Sequence, residues 1–228
     1  MTITQEQFFG CADIPIEQHI QFEKYLTEIL FHKQRREAFY KALQPYKLGD
    51  AEDTFKHYFE TYSAERKTFR QDYTPSSLAT ILSKITHQPQ FTSSYSGYDP
   101  TAGTGGLIIS KWWANMTSQN PFSYKPSQHF YLCEEKADNV IPYLLHNLAM
   151  RGMNAIVIHG DVLERATKQI YFIFNAKDDY LTFSDINVLP HTEDFAKEFN
   201  IHTWLEDEIK HIESPKITLN NSRSHGRR

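Results

Sequence analysis

One glycine turn and four polar positions carry the chemical potential of this chain. The turn is Asp99-Pro100-Thr101-Ala102-Gly103-Thr104-Gly105-Gly106, set directly before the apolar run Leu107-Ile108-Ile109. Glycines at a strand-to-helix turn let the backbone approach a ligand closely, and the helix behind them aims its free N–H groups at it. No Gly-Lys-Ser/Thr ending follows, so this is not a phosphate-cradling P-loop, and its spacing is not G-x-G-x-x-G. The polar positions are Asp99, Glu135, Asp161 and Asn175, each at the end of an apolar or turn-bounded run. Any one of these acids alone reads as an ordinary exposed strand end. As a set they describe a nucleoside site.

The elements that must position them follow from the hydrophobic pattern. From Ile16 to about Leu43 the chain lacks glycine, with Ile16, Ile20, Tyr25, Leu26, Ile29 and Leu30 at roughly helical spacing. Gly49-Asp50 breaks that pattern, and Asp53 is placed to cap a second helix through Phe55, Tyr58, Phe59 and Tyr62. After Pro75, strands and helices alternate. His129 to Cys133 reads as a strand. Ala137, Val140, Ile141, Leu144, Leu145, Leu148 and Ala149 form an amphipathic helix, with Pro142 tolerated in its first turn and Gly152 as its C-terminal cap. Ala155 to Ile158, ending at Gly160-Asp161, and Ile170 to Phe174, ending at Asn175, read as buried strands. Thr92 to Tyr98 is unusually polar for the strand expected before Asp99. Uninterrupted apolar strands alternating with helices argue for a parallel sheet covered on both faces, and ligands of such sheets lie at the carboxyl ends of the strands. This reading places Asp99, Glu135, Asp161 and Asn175 at one edge. A carboxylate ending the second strand accepts both hydroxyls of a ribose. An Asp closing the third can accept the exocyclic amine of an adenine. No Lys or Arg cluster surrounds the turn, which disfavours a polyphosphate. An adenosine with a zwitterionic tail, S-adenosylmethionine, fits better than a nicotinamide dinucleotide.

Composition excludes several classes. The 228 residues are 40% hydrophobic and 23% charged, with a net charge of −4, so the chain as a whole advertises no nucleic-acid surface. Aromatic content is 14%, which core packing explains more simply than base stacking. Cys11 and Cys133 form no metal or redox spacing, and none of the histidines, His146 and His159 included, sits in a metal pattern. No metal is therefore expected. No signal pattern or membrane-length apolar run is present, and a cytoplasmic location without membrane attachment is the expectation. Neither a Ser-His-Asp elbow nor a Cys-His pair supports a hydrolase.

Tyr73-Thr74-Pro75, the Asp99–Gly106 turn, and Tyr131 through Gly152 resemble the N6-adenine DNA methyltransferases, specifically the modification subunits of type I restriction systems. That family shows Tyr-Thr-Pro before the first strand, an Asp-Pro-x-x-Gly-Thr-Gly-Gly turn, and a Glu followed seventeen residues later by Gly, matched here by Glu135 and Gly152, with Asn147 on the family's Asn. The resemblance runs from about Asp53 to Asp161. It implies an α/β, Rossmann-like S-adenosylmethionine-dependent methyltransferase fold, mostly parallel and shortened, behind an N-terminal helical section. The implied division is a helical section 1–70, a methyltransferase-like domain 71–215, and a basic, disordered tail 216–228. By the same resemblance Tyr73, Thr74 and Pro75 lie against the methionine end of the cofactor, Gly103, Thr104 and Gly105 border it with Asp99 at the head of the turn, Glu135 holds the ribose and Asp161 contacts the adenine.

The resemblance fails at the base-holding turn. The family uses Asn/Asp-Pro-Pro-aromatic after its fourth strand to grip a flipped adenine. Here the matching residues are Asn175-Ala176-Lys177-Asp178, with both prolines and the ring missing, although Tyr180 stands nearby. Asn120-Pro121-Phe122-Ser123-Tyr124 has the right composition but falls in a connection expected at the opposite edge of the sheet. Three readings follow: a DNA adenine-N6 methyltransferase working through Asn175; a cofactor-binding relative without transfer that serves as assembly partner, regulator or decoy of an active methyltransferase or restriction complex; and an S-adenosylmethionine-using enzyme with a small-molecule or protein substrate. DNA and a restriction-system protein are the partners these readings name.

Overall fold

In a computed structural model, residues 2–46, 51–63, 96–118, 120 and 123–214 are described. The expected positions Tyr73, Thr74 and Pro75, most of the polar stretch before Asp99 and the basic tail 216–228 lie outside them.

The helical pattern resolves into two helices rather than one. Helix α1 (Gln5–Gly10) opens the chain under a capping box built by Thr4 and Gln7, and α2 (His19–Ile29) and α3 (Lys33–Leu43) follow. The apolar stripe of α2 is Phe22, Tyr25, Leu26 and Ile29, a spacing of three, one and three that defines a single helix face. Ile20, expected on that stripe, is 51% exposed because it stands on the opposite side of the turn. Asp53 caps α4 (Lys56–Tyr58) through the N–H groups of Phe55 and Lys56, and the helix runs on as a π-turn, Phe59–Ser63.

The α/β class is as the alternation implies. The remaining elements are β1 (Gly97–Asp99), α5 (Gly106–Thr117), β2 (Tyr131–Glu135), α6 (Ile141–Ala149), β3 (Ala155–Asp161), β4 (Ala166–Phe174), β5 (Asp185–Leu189), α7 (Glu193–Glu198) and β6 (Thr203–Trp204). Strands lie in the order β1-β2-β3-β4-β5, with β6 on β4. The first three are parallel and joined by α5 and α6, a Rossmann-like β-α-β-α-β unit. β6 also joins in parallel, so three pairings are parallel against two antiparallel.

The two antiparallel pairings correct the expected sheet. β4 pairs antiparallel with β3, and β5 with β4. Only Val162 to Arg165 separate β3 from β4, and a return to a parallel strand needs a crossover of a dozen or more residues. Four residues permit a hairpin alone. Asp161 builds its turn, accepting the N–H groups of Leu163 and Glu164 at 2.8 and 3.0 Å, and Arg165 completes it at φ 55°.

Every residue of α6 is buried, so the amphipathic helix of the sequence is covered on both sides. The sheet lies under one face and the N-terminal helices over the other, and all share one core with Phe8, Phe22, Phe39, Phe55 and Tyr58. The polar residues of α6 survive burial because each is bonded. His146 Nε2 lies 2.8 Å from the Leu26 carbonyl and must donate to it, leaving Nδ1 to accept the Tyr40 hydroxyl at 2.7 Å. Burial pushes its pKa down to about 3, so the imidazole stays neutral. The second sheet face carries a smaller cluster of Ile156, Ile158, Ile170, Leu189 and Ile201. Most of the aromatic content of the chain is packing. Among the described residues no helix is long and apolar enough to cross a membrane, and no group of three His, Cys, Asp or Glu could hold a metal ion.

Candidate ligand site at the strand ends

The glycine turn folds back over β2. The Ala102 N–H donates to the Glu134 carbonyl at 2.9 Å, which carries the chain from the end of β1 across its neighbour. Gly103 and Gly105 then take left-handed φ values of 56° and 102°, a region that side chains resist. A Cβ on Gly105 would also stand 3.0 Å from the Leu144 side chain. The close passage of backbone over strand ends is possible because neither glycine carries a side chain.

Glu135 fastens the turn. Its Oε2 accepts the Gly103 N–H at 2.9 Å and its Oε1 the Ala137 N–H at 2.8 Å. Each carboxylate oxygen offers about two acceptor sites, so each retains one for an incoming hydroxyl. Asp99 differs. Its Oδ1 accepts the Thr101 N–H at 3.1 Å, whereas its Oδ2 is buried without a partner among the described residues, the whole side chain being 6% exposed. Burial pushes the Asp99 carboxyl above the ordinary carboxylate range, and the neighbouring Glu135 charge adds to the shift. An unmade buried hydrogen bond costs ~1–3 kcal/mol. A ligand ammonium placed there would recover that cost, and no other side chain in the turn competes for it among the described residues. The donor set therefore fits a nucleoside with hydroxyls and a cationic amine.

Asp161 reaches the same edge with less capacity to spare. Besides the two N–H groups of its hairpin turn, it pairs with Lys136 at 2.7 Å, and that hydrogen bond holds its carboxyl down at about 2. His159 lies opposite Glu135 in the strand register, its Nε2 2.8 Å from Asp138 Oδ1, with burial lowering its pKa. The structure thus brings Asp99, Gly103, Thr104, Gly105, Glu135 and Asp161 together.

Asn175 is not among them. Because β4 runs antiparallel to β3, its C-terminal end lies beside the start of β3, at the opposite edge of the sheet. There Asn175 N–H donates to the Asn154 side chain at 2.7 Å. Its Nδ2 is directed at the carbonyls of Gly152, Asp179 and Thr182 at 3.1, 2.8 and 3.2 Å, and its Oδ1 accepts the Asp179 N–H and the Thr182 hydroxyl. It is 2% exposed. The side chain is a loop fastener, and the expectation that it faces the ligand with the three acids is corrected. Asp178, in the place of the family's ring, holds Ser127 on this same edge, and Tyr180 meets Tyr124 at 6.3 Å. Tyr124, four residues after Asn120, therefore shares the Asn175 edge, away from the glycine turn.

No family model matches the chain, and no curated protein matches it. Among solved structures the chain is similar to a Listeria monocytogenes protein described as a class I S-adenosylmethionine-dependent methyltransferase, with 14% identity and a TM-score of 0.42 over 84% of this chain and 76% of that one.

In the sequence Asp53 reads as a helix cap and Asn147 as a family match, and nothing there shows what joins them. Asp53 accepts the Thr104 hydroxyl at 2.5 Å and the Asn147 Nδ2 at 2.7 Å, and the same Asn147 amide lies 2.7 Å from the Thr104 carbonyl. Arg151 closes the group through Asn147, Thr54 and the Glu52 carbonyl. Spacing gave no warning, since Asp53 and Asn147 lie 94 positions apart.

Proposed function

We propose that the chain binds S-adenosylmethionine at the ends of β1, β2 and β3 and is a relative of the DNA adenine-N6 methyltransferases that does not transfer methyl groups through Asn175. The observation that carries the reading is the buried, unpartnered Asp99 Oδ2 beside a glycine turn already held by Glu135. Asp99 would receive the ammonium of the methionine part, Glu135 the ribose hydroxyls and Asp161 the adenine amine, with Gly103, Thr104 and Gly105 giving backbone clearance. The cofactor, when bound, supplies a methyl group activated on a sulfonium. Asn175 contributes nothing to its use, being saturated at the other edge. This favours a cofactor-dependent partner or regulator of an active methyltransferase over an enzyme built on the Asn-Pro-Pro-aromatic scheme.

Titration calorimetry tests the reading. Micromolar-range binding is expected, corresponding to ~8 kcal/mol, and Glu135→Ala is expected to weaken it by about thirtyfold, or ~2 kcal/mol. Wild-type affinity in Glu135→Ala would discard the site. Transfer of labelled methyl from the cofactor to duplex DNA is expected to be absent over a range of salt concentrations. Transfer that vanishes in a folded Asn175→Ala protein would restore the enzyme reading.

A further inference from the structure

Two carboxylates hold adjacent residues of the glycine turn from opposite sides. Glu135 takes the Gly103 N–H from the sheet, and Asp53 takes the Thr104 hydroxyl from the N-terminal helical section. Thr104 sits on Asp53 Oδ2, while Asp53 Oδ1 accepts the N–H groups of Phe55 and Lys56, each at 3.0 Å, and the Asn147 Nδ2 at 2.7 Å. Asn147 Oδ1 in turn accepts the Thr54 N–H at 3.2 Å. Residues 52–56 are thereby tied to α6 and to the turn at once. A turn with two left-handed glycines has little shape preference of its own, so its shape is set by whatever grips it. Burial raises the Asp53 pKa while its donors and Arg151 work against the rise.

We infer that Asp53 is a positioning residue for the strand-end site. It fixes Thr104, and through Thr104 the glycine turn, in the shape that receives the ligand. The N-terminal helical section so contributes to ligand affinity without touching the ligand. The inference rests on the function proposed above for the identity of the ligand alone.

Asp53→Asn keeps the size of the side chain and an Oδ1 acceptor for the α4 cap, but puts a donor-only NH2 group in place of the Oδ2 that accepts the Thr104 hydroxyl. Thr104→Val removes the hydroxyl at nearly constant shape from the other partner, and carries the same test if Asp53→Asn does not fold. Backbone hydrogen exchange of the unliganded full chain is expected to speed up about tenfold or more at residues 103–106 in either variant, while the amides of β2 and β3 stay within about twofold of wild type. S-adenosylmethionine affinity is expected to fall about tenfold in each, and the double variant to be no weaker than the poorer single one, since both break the hydrogen bond that the Thr104 hydroxyl donates. Unchanged exchange in the turn, equal acceleration throughout β2 and β3, or a loosened turn with intact affinity would each overturn the inference. If the wild-type protein binds no S-adenosylmethionine, the proposed function fails by itself. Exchange then decides alone: acceleration confined to 103–106 supports the positioning role, and its absence refutes it.

Discussion

The two edges of the sheet use polar side chains in opposite ways. At the end of β4, Asn175 spends its amide on the loop around it and keeps no hydrogen bond for a ligand. At the end of β1, Asp99 keeps a buried oxygen unpaired, and Glu135 holds the turn with acceptor capacity remaining. Both edges carry residues that a motif search would mark. Unused bonding capacity, rather than residue type, separates the edge that can take a ligand from the edge that stabilises the fold.

The largest expected effect lies at the saturated edge. Asn175→Ala strips partners from the buried Gly152 carbonyl, from the less buried Asp179 and Thr182 carbonyls and from the Asp179 N–H, and is expected to cost ~3 kcal/mol of stability in a denaturant titration. Gly152 makes this edge less forgiving still, since a Cβ there would lie 2.6 Å from the Thr182 carbonyl. Cofactor affinity of the folded variant is expected to stay within about twofold of wild type. A stable Asn175→Ala protein with weakened cofactor binding would invert the comparison.

Asp99→Asn is expected to do the reverse at smaller magnitude. Relief of the buried charge offsets the cost of an unpartnered amide NH2 in the same place, so stability at neutral pH changes by no more than ~1 kcal/mol, while the ligand ammonium loses its counter-charge and affinity falls about tenfold or more. The pH dependence sharpens the contrast. The folded Asp99 carboxyl titrates above its unfolded value of 3.8, so its contribution to stability is full below that value and is lost as pH rises through the folded pKa. Thermal melts of the unliganded protein across that window should show this decline in wild type and lose it in Asp99→Asn. A steeper decline in the variant would contradict the assignment.

Much of the parallel half was legible in the sequence because local chemistry decides it. Pro142 at the start and Gly152 after the end of α6 bound that helix, and its apolar repeat left little choice of type. The strands β2 and β3 follow from β-branched and aromatic runs bounded by glycine and acids. Direction is another matter. Ile170 to Phe174 reads equally well as a parallel or an antiparallel strand, since an apolar run carries no sign of its orientation. The sequence signal for direction is the short stretch 162–169 between the two apolar runs, already below the dozen residues of a crossover, and β4 shortens it further to Val162–Arg165. The Asp53–Thr104–Asn147 group was illegible for a different reason. Its members meet only after the N-terminal helices cover α6, and no periodicity encodes that contact.

The smallest expected effect tests whether Asp161 belongs wholly to the ligand edge. Its carboxylate already serves the hairpin turn and Lys136, so it stands between the two regimes. The Lys136 side chain is 69% exposed, and an ion pair so open to water contributes little to folding. Lys136→Ala is therefore expected to leave the melting temperature unresolved from wild type. It also frees Asp161 Oδ2, whose pKa should move up from about 2 toward the ordinary carboxylate value, a shift readable by carbon-detected NMR titration. If Asp161 meets an adenine amine, the freed oxygen gains a donor on binding, and affinity is expected to rise by no more than about threefold. If affinity falls instead, Lys136 itself faces the ligand, and the edge that holds the site has a cationic member where three acids were counted.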